Sequence, residues 1–546
     1  MITSGAERIV QALKALGVEV VFGLPGVHNL PVWHALRDSA VRLVGVRHEQ
    51  AAVYAADGYA RAGGRLGVAL VTTGPGAANT LGATGEAFAS GSPVLVIATD
   101  IPTTLRRPGV YRGVLHETRD QAAMFAPVCR AVTTVTAADE IADAVAASAA
   151  RALRASSGPV YLGVPTDLLR APARGPSVGP DASRAGDVDP GAVVEAGRCL
   201  DQARVPLVWA GGGAVRADAG PAVGALAQRL AAPVLTTYSA RGLLGPEHPC
   251  AVPGPVHHPA VGALWDRADV VVAIGSDLDG MMTQNWAMPA PPALIAINVD
   301  AADASKNYPA TVVIETDARV GTEALCAALA PERSAQLDGL QAELAAVGKV
   351  VAATVSADEP QAAAMLSGLD RVLDPATVVV CDMCIAGYWV AGFRSVPAPR
   401  RLAYPMGWGT LGFAFPASLG AALAGTGPVV CVTGDGGFLF ACGELATMRE
   451  AGLAVTVVLV DDGGYGMLRY DQTAAGETPF GVDLVGPDFV ALAQAFGVAA
   501  ERVDGFGAAF ERALISALGS GEPRMVVVSA RLSPPLTTSP RWYRRR

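Results

Sequence analysis

At 546 residues the chain is too long for one hydrophobic core and suits about three domains of ordinary size. Hydrophobic residues make up 51% and mean hydropathy is positive, yet no uninterrupted apolar run reaches the roughly 20 residues of a spanning helix. The net charge of −9, with Arg541, Arg544, Arg545 and Arg546 as the sole basic cluster, argues against a nucleic-acid partner. Eight scattered cysteines imply a reducing compartment, and the N-terminus lacks the pattern of a signal peptide. A cytoplasmic protein with no membrane association is expected.

Residues 1–172 alternate short apolar runs with Ala-rich helical stretches. Phe22-Gly23-Leu24-Pro25-Gly26-Val27-His28 is an apolar run breaking into a Gly/Pro loop. A second run, residues 41–46, leads to Arg47-His48-Glu49-Gln50, and Glu49 opens a predicted helix that ends near Gly63-Gly64. The helix dipole alone favours an acid there. Thr72-Thr73-Gly74-Pro75-Gly76-Ala77-Ala78-Asn79 closes a third run, and Gly113-Val114-Leu115-His116-Glu117 forms a later loop.

A Pro/Gly/Ser/Arg-rich linker covers residues 171–190. The second unit, residues 190–332, runs strand-like segments into Gly211-Gly212-Gly213 and Gly275-Ser276-Asp277. Residues 333–358 are charged and Ala-rich without a strand signal, and the third unit occupies residues 360–530, followed by a tail at 531–546. Cys381 and Cys384 form a lone CxxC after a strand-like run, which favours a strand-end loop over zinc or redox chemistry. Alternation throughout predicts an α/β protein of three doubly wound parallel-sheet domains.

The densest chemistry lies in the third unit. Gly434-Asp435-Gly436 closes the apolar run 428–433, and 27 residues after Asp435 comes Asp462, at the end of another run. Parallel sheets bind ligands at the carboxyl ends of their strands, so the two carboxylates are expected to converge on one hard cation, best Mg2+. Gly436, Gly437 and a helix-like segment at 441–452 would place N–H groups beside it, and a diphosphate could bridge the two.

With these residues in view, the segment Gly434 to Gly466 resembles the thiamine-diphosphate signature of the acetolactate synthase and 2-oxo acid decarboxylase superfamily. An Asp, Asp462, stands where the family usually has its metal-binding Asn, which adds negative charge beside the diphosphate. The resemblance implies that Asp435, Asp462 and Gly464 hold Mg2+. It further implies that Gly434, Gly436, Gly437, Tyr465, Gly466 and Met467 meet the cofactor in a diphosphate-binding domain. Glu49 matches the carboxylate that activates the aminopyrimidine, and Gly26, Gly74, Pro75 and Asn79 match loops of the pyrimidine-binding domain. Gly407-Trp408-Gly409-Thr410-Leu411-Gly412-Phe413 resembles the segment that holds that ring, with Leu411 as the wedge that bends the cofactor and Gly409 beside it.

In the family the two cofactor-binding domains come from different subunits, which implies a homodimer or homotetramer with active sites between subunits. Acetolactate synthases bind FAD in the central domain. Here Gly211-Gly212-Gly213 is not the spaced dinucleotide fingerprint, so an FAD site and an empty structural domain both stay open. His28 and His116, on cofactor-facing loops, are expected to orient substrate and give protons.

The motifs around His28 and His116, with Asp120-Gln121, are most similar to the family's 5-guanidino-2-oxopentanoate decarboxylases. Asp471, where acetolactate synthases carry Trp, is expected to pair with a cationic substrate tail. The implied reaction is decarboxylation of a small 2-oxo acid through an enamine, released as an aldehyde or ligated to a second carbonyl. Alternatives are an acetolactate synthase-like carboligase, a lyase of 2-hydroxy ketones, and a cofactor-binding protein without turnover.

Overall fold

The computed structural model describes residues 3–107, 109–174, 187–329 and 334–535. The basic tail and most of the Pro/Gly/Ser/Arg-rich linker lie outside these residues.

Three parallel sheets organise the chain. In spatial order the first consists of Arg42–Gly45, Val20–Gly23, Gly67–Val71, Val94–Asp100, Val160–Pro165 and Ala131–Thr134. Numbered along the chain these strands run 2-1-3-4-6-5. The third sheet repeats that order with Leu402–Ala403, Val378–Cys381, Val429–Gly434, Val455–Asp461, Arg524–Ser529 and Ala499–Asp504. The middle sheet, Val234–Thr236, Pro206–Ala210, Val270–Ile274, Ala293–Asn298 and Val312–Glu315, runs 2-1-3-4-5. The central strands are buried along their length, which is why they read as continuous apolar runs rather than alternating ones.

Each sheet has a switch point where its first and third strands lie side by side and the connections leave in opposite directions, opening a crevice at the strand ends. Residues 24–28 and 72–79 border the first crevice, 211–213 and 275–277 the second, and 382–384 and 434–437 the third.

The first and third domains meet through two small-residue helices, Glu49–Gly63 and Ala414–Ala424. A Cβ on Gly58 would lie 1.9 Å from the Ala417 carbonyl oxygen, and one on Gly420 would lie 1.8 Å from that of Ala55. Backbone therefore touches backbone, and glycine is required at both positions. Arg61 reinforces the junction from within: it bonds Asp57 at 2.7 Å and Glu86 at 3.1 Å, both carboxylates fully buried, and its Nη1 donates to the Tyr404 carbonyl at 2.9 Å. Glu86 in turn accepts from Trp408 N at 3.1 Å. The loop carrying Leu411 is thus held by the N-terminal domain of the same chain.

One stretch folds differently from expectation. Residues 441–452 do not form one helix: Cys442–Glu444 is a 3-10 turn and Leu445–Glu450 a short α-helix, while Asp435–Leu439 forms a separate helix directly after its strand. Ser334–Asp358 is a single long helix. Among the described residues its segment Gln336–Asp358 is long and apolar enough to cross a membrane by length and composition, yet Leu340, Leu344, Val351 and Val355 pack into the core.

Candidate active site

At the first switch point Asn29 fixes the loop after Val20–Gly23, its Oδ1 accepting from Gly26 N at 2.8 Å and its Nδ2 donating to the Leu24 carbonyl at 3.0 Å. Glu49 is buried at the first position of its helix, whose start is capped by His48 through the Gln50 N–H. Asn79 Nδ2, from the next loop, donates to Glu49 Oε2 at 2.9 Å. Gly26 and Gly76 both press on Thr72, and a Cβ on Gly76 would stand 3.3 Å from Glu49 Oε1. One small volume therefore gathers Gly26, Glu49, Thr72, Gly76 and Asn79.

Gly74 adopts φ +67°, ψ −110°, a conformation open to glycine, and its N–H donates to Gln121 Oε1 at 2.6 Å. Gln121 is buried and anchored by its Nε2, which donates to the Thr99 carbonyl at 2.8 Å and the Tyr161 hydroxyl at 2.7 Å. Against Gly74 lies His116, itself at φ +66°. The His28 and His116 rings meet edge to face at 5.1 Å. Burial lowers the His28 pKa, the neighbouring His116 lowers it further, and Asp100 pulls the other way. Buried Nδ1 atoms on both histidines and the Thr72 hydroxyl lack protein partners.

At the third switch point two carboxylates lie close enough for the charge of Asp435 to act on Asp462. Burial raises Asp435, assisted by the charge of Asp461. Asp462 is pushed up to about 6, chiefly by burial and then by the Asp435 charge. Its Oδ1 accepts from Gly464 N at 3.1 Å, Arg469 Nη1 stands 4.0 Å away, and Arg531 Nε donates to its carbonyl at 3.1 Å. The two arginines offset the charge that Asp brings in place of Asn. Gly464 sits at φ +151°, where a Cβ would be 2.1 Å from the Val482 carbonyl oxygen, and a Cβ on Gly466 would be 2.1 Å from Asp462 Oδ2. Gly436 packs against the Tyr465 ring. Met467 packs on the core, and Asp471 is exposed on the helix Gly466–Ala474, close enough to Tyr388 for its charge to raise that phenol.

Asp382 was not singled out by the sequence. It is fully buried at the crevice and pushed up to about 6 by burial, while accepting from Met383 N at 3.0 Å, Gly412 N at 3.1 Å and Thr433 Oγ1 at 3.3 Å. It thereby ties the loop of Gly409 and Leu411 to the strand that ends in Gly434. The neighbouring Cys384 caps a helix, its Sγ accepting from Gly387 N, and burial raises its thiol well above the ordinary range. Cys381 and Cys384 are both free thiols. Among the described residues no three His, Cys, Asp or Glu side chains cluster as a metal site, so a cation on Asp435 and Asp462 would need backbone or cofactor oxygens as well.

A cavity of about 1480 Å³ lies at the second switch point, away from both carboxylate groups, lined by Gly213, Arg216, Ser276, Asp317 and Arg400. Burial lowers Arg216 to about 10, with Arg400 adding to the effect.

Three family descriptions match in the order of the three sheets. They are the N-terminal thiamine pyrophosphate binding domain at residues 3–124, the central domain at 193–325 and the C-terminal thiamine pyrophosphate binding domain at 382–528. The chain belongs to the thiamine pyrophosphate enzymes. It is 35% identical to the probable 2-ketoarginine decarboxylase AruI of Pseudomonas aeruginosa, covering 92% of this chain and 89% of that one. It is 31% identical to a probable acetolactate synthase large subunit of Methanocaldococcus jannaschii, over 91% and 87% of the two chains. The acetolactate synthase of Mycobacterium bovis is also 31% identical, over 92% and 84%.

The residues present suit the family's cofactor at both ends. Thr72 offers a buried, unpartnered hydroxyl beside Glu49, and two repelling carboxylates among glycines present the donor set of a hard cation. Asp382 carries no local motif that would reveal it as a site residue, because its partners Gly412 and Thr433 lie on other elements.

Proposed function

We propose that this enzyme decarboxylates a 2-oxo acid with thiamine diphosphate and Mg2+, and that the acid carries a cationic tail. The observation behind this reading is the division of charge between two crevices: one buried carboxylate held by an amide, Glu49 with Asn79, and one carboxylate pair, Asp435 with Asp462. The bound cofactor supplies an electron sink for the pair left behind as carbon dioxide departs. Asp435, Asp462 and the Gly464 carbonyl hold the metal. Gly434, Gly436, Gly437, Tyr465, Gly466 and Met467 surround the diphosphate, while Gly26, Gly74, Pro75, Gly409 and Leu411 enclose the rings.

Glu49 is the proton-exchanging carboxylate, kept in place by Asn79. His28, whose pKa burial lowers, and His116, or a water that they hold, deliver a proton to the product. Asp471 offers a carboxylate to a guanidinium or ammonium tail, in keeping with the name of the Pseudomonas relative.

Active sites are assigned to the seam between two copies in a homodimer or homotetramer. Val27 and Leu115 on the N-terminal loops, with Trp408, Phe440 and Phe480 on the C-terminal ones, are exposed apolar side chains that a second copy would cover. The domains are placed at 1–172, 190–332 and 360–530, and the location at the cytoplasm. For the cavity at the second switch point, which residues of all three domains line, a nucleotide site and an empty structural cavity are both kept as readings. FAD is the form to test, since flavin absorbance in the purified enzyme would support it and a colourless enzyme would refute it.

The whole reading is tested by incubating the enzyme with thiamine diphosphate, Mg2+ and pooled 2-oxo acids and identifying products by mass spectrometry. An aldehyde from a cationic 2-oxo acid is expected. A 2-hydroxy ketone would reassign the enzyme as a carboligase, and no product from any acid would overturn turnover altogether.

A further inference from the structure

Glu444, in the 3-10 turn Cys442–Glu444 of the C-terminal domain, is almost completely buried, yet nothing in the cofactor chemistry uses it. Its Oε1 accepts from Arg47 N at 2.9 Å and His48 N at 3.1 Å, and its Oε2 accepts from Thr447 Oγ1 at 2.6 Å. The same segment grips the N-terminal strand end elsewhere: Thr447 Oγ1 lies 3.2 Å from the Gly45 carbonyl oxygen, Arg42 Nη2 donates to the Ala451 carbonyl at 2.8 Å, and Arg47 pairs with Glu450.

The positions of the two peptide donors make this contact informative. The strand ends at Gly45 and the helix begins at Glu49, so the N–H groups of Arg47 and His48 belong to neither ladder. A buried donor without an acceptor is costly, and here one carboxylate satisfies both. The residue after this clamped pair is Glu49, whose carboxylate is held by Asn79.

We infer that Glu444 is a positioning residue for the reaction, setting the height and direction of Glu49 by accepting from the two peptide N–H groups that precede it. The inference rests on Glu49 being the proton-exchanging carboxylate. It makes the segment that follows Asp435 a strut under the Glu49 of the same chain, so the metal-bearing domain holds the activator of a neighbouring site in register. A misplacement near 1 Å at such a group costs up to about 100-fold in rate.

The test uses the full enzyme with saturating thiamine diphosphate and Mg2+, measuring hydrogen–deuterium exchange at the thiazolium carbon, kcat, KM, cofactor Kd and thermal midpoint. Glu444→Ala and the shortened Glu444→Asp are expected to slow exchange and kcat roughly 10- to 100-fold, with KM and cofactor Kd within about 3-fold of wild type. Glu444→Gln keeps an acceptor oxygen for both N–H groups and is expected to restore most of the rate. If Glu444→Ala fails to fold, the Asp and Gln variants decide. Wild-type exchange in Glu444→Asp overturns the inference, as does a loss matched by an equal loss of cofactor affinity that Gln does not rescue. Glu49→Gln is the separate control: undiminished exchange there removes the underlying reading of Glu49, whatever Glu444 does.

Discussion

The first and third sheets share one strand order, 2-1-3-4-6-5, and their switch points carry opposite equipment. The N-terminal crevice places a single carboxylate against an amide and sets two histidines edge to face nearby. The C-terminal crevice brings two buried carboxylates together among glycines, so that burial, and then the Asp435 charge, raise the cost of ionising Asp462. One arrangement suits moving a proton and the other suits holding a cation. The fold supplies the crevice in both cases; the residues at the strand ends decide its chemistry.

Substitutions at the two crevices sharpen that contrast. The largest effect is expected at the proton-handling crevice: Glu49→Gln lowers kcat about 10³-fold, within the span of general acid–base contributions, with an unchanged thermal midpoint. A loss under 10-fold would break the comparison. At the cation-holding crevice Asp435→Ala is expected to weaken Mg2+-dependent cofactor binding by about 100-fold or more, read by calorimetry, because a direct ligand exceeds the 10- to 100-fold cost of partners one shell out. Asp471→Ala should reduce kcat/KM roughly 10-fold for a guanidino 2-oxo acid, a charge-pair effect near 1.4 kcal/mol, and little for a neutral one. Equal losses for both would remove the substrate-tail assignment.

The remaining effect is in stability rather than in rate. Burial raises Asp382 from 3.8 to about 6, so the folded state binds this proton more tightly than the unfolded chain does. Its contribution to stability therefore falls as pH rises from about 4 to about 6, by on the order of 3 kcal/mol. Asp382→Asn should remove that slope, which urea denaturation at several pH values in this window would show. A parallel pH dependence in variant and wild type would contradict the assignment.

Much of the architecture was legible because buried parallel strands are written as apolar runs and their ends as Gly, Pro or Asp. Val429–Gly434 followed by Asp435 is the plainest case. Asp382 and Glu444 were not legible, since each is defined by partners remote in sequence: Gly412 and Thr433 for the first, Arg47 and His48 for the second. The break of 441–452 into a turn and a short helix has the same origin. Glu444 sits where its carboxylate reaches another domain, a tertiary demand that local helix propensity does not encode. The Arg61, Asp57 and Glu86 cluster likewise reads in sequence as ordinary helix charges, although its members are buried and support the Leu411 loop.

The proposed active site is assembled from the Glu49 crevice of one copy and the Asp435 crevice of another. Co-expression of differently tagged Glu49→Gln and Asp435→Ala chains, followed by purification of the mixed oligomer, tests it most directly. Random pairing leaves one intact site in each mixed dimer, so the purified mixed dimer should recover about half of wild-type activity while each variant alone is inactive. Mixed oligomers as inactive as the parents would place both crevices' work within a single chain and contradict the claim.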